Sequence, residues 1–236
     1  MAAHDDLVQE IVQEHNRFSR RVDQLKMYML HSATLAQGNS DHWIFVEQES
    51  RGAAVVGICA ELEHLTRFAI GSTHSELNSL KISYKELSPC LRQLAAHEVF
   101  ESLRDLRDHK KIWDRRRFAT TLDVTDSIIQ LPVTKGSIQP PLDGKTLKPE
   151  HYYRIWAIYG LPNDTFPQVS WGASLQKAAL MRNDIAHGNL PFAEIFKQAG
   201  SSSPEVERYV DEVSAFAQHF TDTWITYIAQ RQYLVN

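Results

Sequence analysis

Between Asp5 and about Gln37 the apolar residues Leu7, Ile11, Val12, Phe18, Val22, Leu25 and Met29 return every three or four positions. That is the period of a helix burying one stripe, and it predicts a long first helix. Gly38-Asn39-Ser40-Asp41 interrupts the pattern. A second helical run follows from about Val46 to Ile70, with Val55, Ile58, Leu62 and Leu65 in phase and Gly71-Ser72 as its expected stop. The short break between the two predicts an antiparallel pair. A third run, from about Glu86 through Trp113 to Arg117, sets Leu91, Leu94, Leu103 and Leu106 against alternating acids and bases. It reads as one long surface helix laced with ion pairs.

Six prolines and glycines, Pro132, Gly136, Pro140, Pro141, Gly144 and Pro149, leave no room for a regular element over 131–149, which is predicted to be a loop. Gly144-Lys145-Thr146 has the look of the end of a phosphate-binding loop, but Gln139 stands where the partner glycine belongs. Two prolines also remove amides that would cradle phosphate, so nucleotide hydrolysis is set aside. Beyond the loop the pattern predicts a short helix from Glu150 to Tyr159, a turn over 160–167, and a helix from Gln168 to His187. A turn at Gly188-Asn189-Leu190-Pro191 leads to a short helix ending near Gln198. The last helix has Ser203 as expected N-cap and Pro204 at its first position. Its broad stripe, Val206, Tyr209, Val210, Val213, Phe216, Phe220, Trp224, Tyr227 and Ile228, suits a bundle core or a dimer seam. Only Trp43–Val46 and Ser127–Val133 offer short strand candidates. The expected class is all-α, one helical domain over 1–236.

Composition adds bounds. At 236 residues with 43% hydrophobic content, the chain can bury its own core. A net charge of −4 supplies no global field for nucleic acid, so any RNA contact must be local. The densest basic stretch is Lys110, Lys111, Arg115, Arg116 and Arg117 with Trp113 among them, suited to guiding an RNA backbone and stacking a base, or simply to a solvated helix face. Cys59 and Cys90 lack metal-ligand spacing and read as reduced thiols. Glu61, Glu63 and His64 have the composition of a metal site but no second histidine at ligand spacing, so neither a metal nor another cofactor is expected. The N-terminus has no signal-peptide pattern and no apolar run approaches membrane-spanning length, so a cytoplasmic protein without a membrane partner is expected.

The candidate chemistry lies in Arg182-Asn183-Asp184-Ile185-Ala186-His187-Gly188. Arginine followed by histidine at similar spacing also occurs at Arg67 and His74, Arg92 and His97, and Arg104 and His109, so spacing alone does not single it out. Its frame does: Leu175, Ala178, Ala179, Leu180 and Met181 precede it, and Ile185-Ala186 lie inside it. On a helix Asn183 and His187 share a face, whereas Arg182 and His187 stand about 140° apart. Asn183 is therefore placed to orient the imidazole, and Arg182 reaches the same phosphate from the flank or after the last turn unwinds at Gly188. His187 would then act as general acid or base at a helix C-terminus. The plain alternative is that Arg182 pairs with Asp184 or another acid and His187 only caps carbonyls. Asp184 itself is not assigned a catalytic role.

The string Arg-Asn-Asp-Ile-Ala-His-Gly, its proline-containing turn and the aromatic-rich terminal helix resemble the bacterial HEPN family, most clearly from Tyr152 to Leu234. The resemblance implies a compact helical bundle with long N-terminal helices, usually a homodimer whose two motifs meet across a two-fold axis. It implies a metal-independent endoribonuclease, with Arg182, Asn183 and His187 as catalytic residues and the RNA 2′-OH as nucleophile. Members are often toxins or antiviral effectors restrained by an antitoxin or a nucleotidyltransferase. Others are noncatalytic adaptors that bind a partner protein or nucleotide.

Overall fold

A computed structural model describes residues 2–38, 40–105, 109–132, 142, 146–188, 194–196 and 202–235. Among the described residues the helices bounded at both ends are α1 Ala2–Ala36, α2 Asp41–Ser79, α3 Pro89–Ala95, α4 His97–Asp105, α5 His109–Ala119, α6 Pro149–Tyr159, α7 Val169–His187 and α8 Ser203–Ala229. The all-α class holds. Among the described residues the strand candidates do not form strands. Trp43–Val46 lies within α2, and Ser127–Leu131 contributes a single antiparallel bridge, Ser83 to Ile128.

Helices α1, α2, α7 and α8 make the bundle. Side-chain bridges fix their registers: Arg21 to Glu61 at 2.5 Å for α1 and α2, Lys26 to Asp211 at 2.6 Å and Thr221 to His15 at 3.1 Å for α1 and α8, and Ser174 to Glu212 for α7 and α8. With Arg17 against His64 as a second α1–α2 pair and Trp171 against His219 for α7 and α8, the numbers in each pair run in opposite directions, so sequential long helices alternate up and down. Gly57 lets α1 and α2 approach closely, since a Cβ there would sit 2.4 Å from Leu25 Cδ1. All nine residues of the stripe expected on the last helix are buried.

Helix α2 begins five residues before the expected Val46 and runs nine residues past Ile70, straight through Gly71. A helical glycine costs only about 1 kcal/mol. What offsets it is the burial of Thr73, His74 and Leu77, with Trp224 Nε1 donating to Thr73 Oγ1 at 2.9 Å. The third run is not one helix. It breaks at Ala96, with φ −86° and ψ 9°, between α3 and α4, while the join of α4 to α5 at 106–108 lies outside the described residues. Leu91, Leu94 and Ala95 are buried and tie α3 to α6, a demand that a straight surface helix would not meet. Leu106, assigned to that run, lies outside the described residues. The N-cap of α8 is Ser202 rather than Ser203, and the Ser203 hydroxyl instead donates to Glu47 Oε1 on α2. Of the short helix expected after Pro191, residues 194–196 are helical and the rest lies outside the described residues. No helix among the described residues is long and apolar enough to cross a membrane.

His74 is fully buried between Pro132 O, 2.7 Å from Nδ1, and Tyr159 Oη, 2.6 Å from Nε2. A carbonyl only accepts, so Nδ1 carries the proton and Nε2 accepts from the tyrosine. Burial lowers the His74 pKa to about 4 from an ordinary 6.5. The unfolded chain therefore binds the extra proton first, and folding stability is fully present above about pH 6.5 and lost as pH falls toward 4. Half-buried His15, also lowered mainly by burial, acts in the same direction. Urea unfolding at pH 7 and pH 4.5 should show a loss of up to about 3 kcal/mol from His74. His74→Gln should flatten that dependence. An unchanged slope in the variant would contradict the neutral buried imidazole.

Candidate functional site

Helix α7 carries the motif on its last two turns. Ser174, Leu175, Ala178, Ala179 and Met181 are buried against α2 and α8, so the helix is fixed by its apolar side up to the residue before Arg182. From there exposure rises. Arg182 and Asn183 are half-buried, and Asp184, Ala186 and His187 are exposed. The helix stays regular through His187 and stops at Gly188, whose φ of 62° is the left-handed geometry glycine adopts at little cost. The Gly188 N–H donates to Ile185 O at 3.1 Å, so the last turn is capped, not unwound. Unwinding was one of two ways to bring Arg182 and His187 onto one phosphate within a chain. With the turn closed, the two side chains leave the helix about 140° apart.

Asn183 is the best-held residue of the motif. Its Oδ1 accepts from Thr146 Oγ1 at 2.9 Å and from Arg182 Nη1 at 3.4 Å. Guanidinium nitrogens only donate, which fixes the amide oxygen on that side and makes Thr146 the donor. Asn183 and His187 share a face, but among the described residues nothing hydrogen-bonds His187. The imidazole stands exposed beyond the Asn amide. Neither plain alternative is found: among the described residues no ion pair joins Arg182 to Asp184, and the capping donor is the Gly188 amide.

Behind the motif lies Cys59 of α2, buried. Burial pushes its thiol up to about 12, while the Arg182 guanidinium pulls the other way. The thiol is thus protonated at neutral pH and a poor nucleophile. Cys90 is exposed. A disulfide-exchange reagent at pH 8 should therefore titrate one thiol in the native protein, abolished by Cys90→Ser, and a second only after denaturation. Fast native modification of Cys59 would contradict its burial.

The remaining candidates are dispersed. Lys110, Lys111, Arg115, Arg116 and Arg117 lie on α5, which packs on α4, whereas α7 packs on α2, α6 and α8. Trp113 is 64% exposed, with the Arg116 guanidinium 5.1 Å from its ring centre, so one face is already covered. The residues that resembled a metal set are each paired: Glu61 with Arg21, Glu63 with Arg67, and His64 with Glu14 at 3.0 Å. Two competing Arg–His pairs have structural duties, since Arg67 bridges Glu63, His74 is interior, and Arg92 donates to Tyr84 O at 2.9 Å and Lys85 O at 3.0 Å. The side chains of Arg104 and His109 lie outside the described residues.

Thr146 was missed in the sequence. Its only signal was Gly144-Lys145-Thr146, which pointed to phosphate-loop chemistry rather than to a clamp on another helix.

A helical bundle that ends an apolar helix in Arg-Asn-Asp-Ile-Ala-His-Gly places the protein in the HEPN class. Residues 16–224 match the family described as RiboL-PSP-HEPN, and the chain belongs to it. Comparison with curated proteins and with solved structures returns no match.

Proposed function

We propose that the protein is an endoribonuclease that cleaves RNA by attack of its own 2′-OH, with Arg182, Asn183 and His187 at a site composed from two copies of the chain. The observation that carries this reading is the closed end of α7: Asn183 is locked by Thr146 and Arg182, and His187 projects free at the rim. In the reaction a base takes the 2′-OH proton as the 2′-oxygen bonds to phosphorus. The P–O5′ bond breaks, and an acid protonates the leaving oxygen. The products are a 2′,3′-cyclic phosphate and a 5′-hydroxyl end. The nucleophile comes from the substrate, so the protein has only to move protons and offset charge. An imidazole does the first near neutral pH. The Arg182 guanidinium does the second through paired N–H donors on the phosphate oxygens.

One motif offers one imidazole, and the reaction wants a base and an acid. The regular last turn also keeps Arg182 and His187 of one chain on diverging sides. A two-fold dimer answers both needs by setting His187 of each copy across one phosphate. The α5 cations, away from α7, would guide flanking RNA by charge rather than read the cleaved step. In the cell such an activity fits a toxin of a toxin–antitoxin pair or an antiviral effector, held in check by an antitoxin or nucleotidyltransferase.

Purified protein incubated with total RNA in EDTA should leave cyclic-phosphate ends, and His187→Ala should not. Intact RNA with the wild type, or equal cleavage by the variant, would overturn the proposal. A second reading, a noncatalytic adaptor, draws on apolar surface: Met27, Tyr28 and Phe45, on the arms leading into the α1–α2 turn, are 69%, 73% and 59% exposed. It predicts partner binding insensitive to Arg182→Ala.

A further inference from the structure

We infer that Thr146 is a positioning residue for the reaction proposed above, acting through Asn183; the inference rests on that reading. Three observations carry it. The Thr146 hydroxyl donates to Asn183 Oδ1 at 2.9 Å, the shortest hold on any motif side chain. Thr146 is itself buried, 8% exposed, and Leu142 and Leu147 on either side of it are buried in the core at 4% and 3%. The threonine is therefore anchored on both sides although it belongs to a loop. Finally, the second hold on Asn183, from Arg182, is long at 3.4 Å and comes from a side chain that the reaction needs on phosphate.

The consequence is a division of labour within one amide. With Oδ1 fixed toward Thr146 and Arg182, both Nδ2 hydrogens face the other way. His187, one turn further on, shares this helix face with Asn183. The amide then has donors to offer either the neutral imidazole or a phosphate oxygen. If Arg182 leaves Asn183 to engage phosphate, Thr146 alone keeps the oxygen in place. Without the hydroxyl the amide can rotate through its broad terminal torsion and present oxygen instead of nitrogen. Such an oxygen would repel phosphate. Among the described residues of 131–149, Thr146 thus contributes to the site through one buried hydroxyl.

Thr146→Val keeps the shape and the β-branch and removes the donor. It is expected to lower kcat about tenfold, the scale of one hydrogen bond, with KM little changed. Thr146→Ser should recover most of the loss. In an Asn183→Ala background Thr146→Val should cost nothing further, because a residue acting through Asn183 has nothing left to position. The side-chain amide NMR signals of Asn183, read without turnover, should shift and broaden in Thr146→Val and return in Thr146→Ser.

Wild-type rates in Thr146→Val, with His187→Ala inactive, would overturn the positioning role and leave the ribonuclease reading intact. Equal costs of Thr146→Val with and without Asn183 would also overturn it, pointing to a general loosening of the loop. An inactive wild type would overturn the ribonuclease reading and this role with it.

Discussion

His187→Ala is expected to lower single-turnover RNA cleavage by about 10²- to 10⁴-fold, the range spanned by general acid–base catalysis. The fold should hardly notice: His187 is exposed, is the last residue of α7, and forms no hydrogen bond among the described residues, so the unfolding free energy should stay within about 0.5 kcal/mol. The separation matters, because most inactive variants of a bundle enzyme are inactive for lack of folding. Asp184→Asn is the natural control. It alters charge on the same exposed turn without touching the proposed chemistry, and its rate should stay within a few-fold of wild type. Arg182→Lys should be nearly as damaging as Arg182→Ala, since an ammonium cannot present the paired planar donors of a guanidinium. If Asp184→Asn fell as far as His187→Ala, the exposed turn itself, and not the imidazole, would be what RNA requires.

How much of this was legible beforehand differs by element. Helix α8 was readable nearly to the residue because its nine apolar positions all face one core, and periodicity reports just that. Helix α7 was readable for a different reason: Gly188 is a stop signal, and its left-handed φ caps the helix there without unwinding the last turn. Gly71 looked like the same signal and was not, because a local preference of about 1 kcal/mol yields to buried side chains further along. The third run failed in the opposite sense. Its leucines keep helical spacing across Ala96, but spacing says nothing about whether the neighbouring elements allow a straight path. At the site, the motif's residue types were visible and their partner was not. Thr146 meets Asn183 across 37 positions, a contact with no period to announce it. The regular last turn closes the within-chain route that unwinding at Gly188 would have opened, so the proposed site calls on a second copy by direction as well as by its count of imidazoles.

The largest stability effect should come from Trp224→Ala, at about 4–6 kcal/mol. Trp224 is fully buried at the meeting of α2, α6 and α8, with ring centres of Tyr159, Phe220 and Tyr227 at 4.7, 5.5 and 5.8 Å. Truncating a buried aromatic costs about 3–5 kcal/mol through lost transfer energy and the cavity left behind. The indole N–H adds about 1 kcal/mol through its bond to Thr73 Oγ1. Trp224→Phe separates the parts: it keeps most of the ring and drops the donor, and Thr73 still donates to Ala69 O at 2.7 Å, so no donor is stranded. A loss of about 1–2 kcal/mol is expected there. Chemical denaturation at pH 7 measures both. Against a total stability of about 5–15 kcal/mol, that loss removes a large fraction of the folding margin. Trp224 holds the stretch of α2 beyond Gly71, so limited proteolysis of that variant should cut first there. An even cutting pattern would mean that α2 past Gly71 is held by something other than this ring.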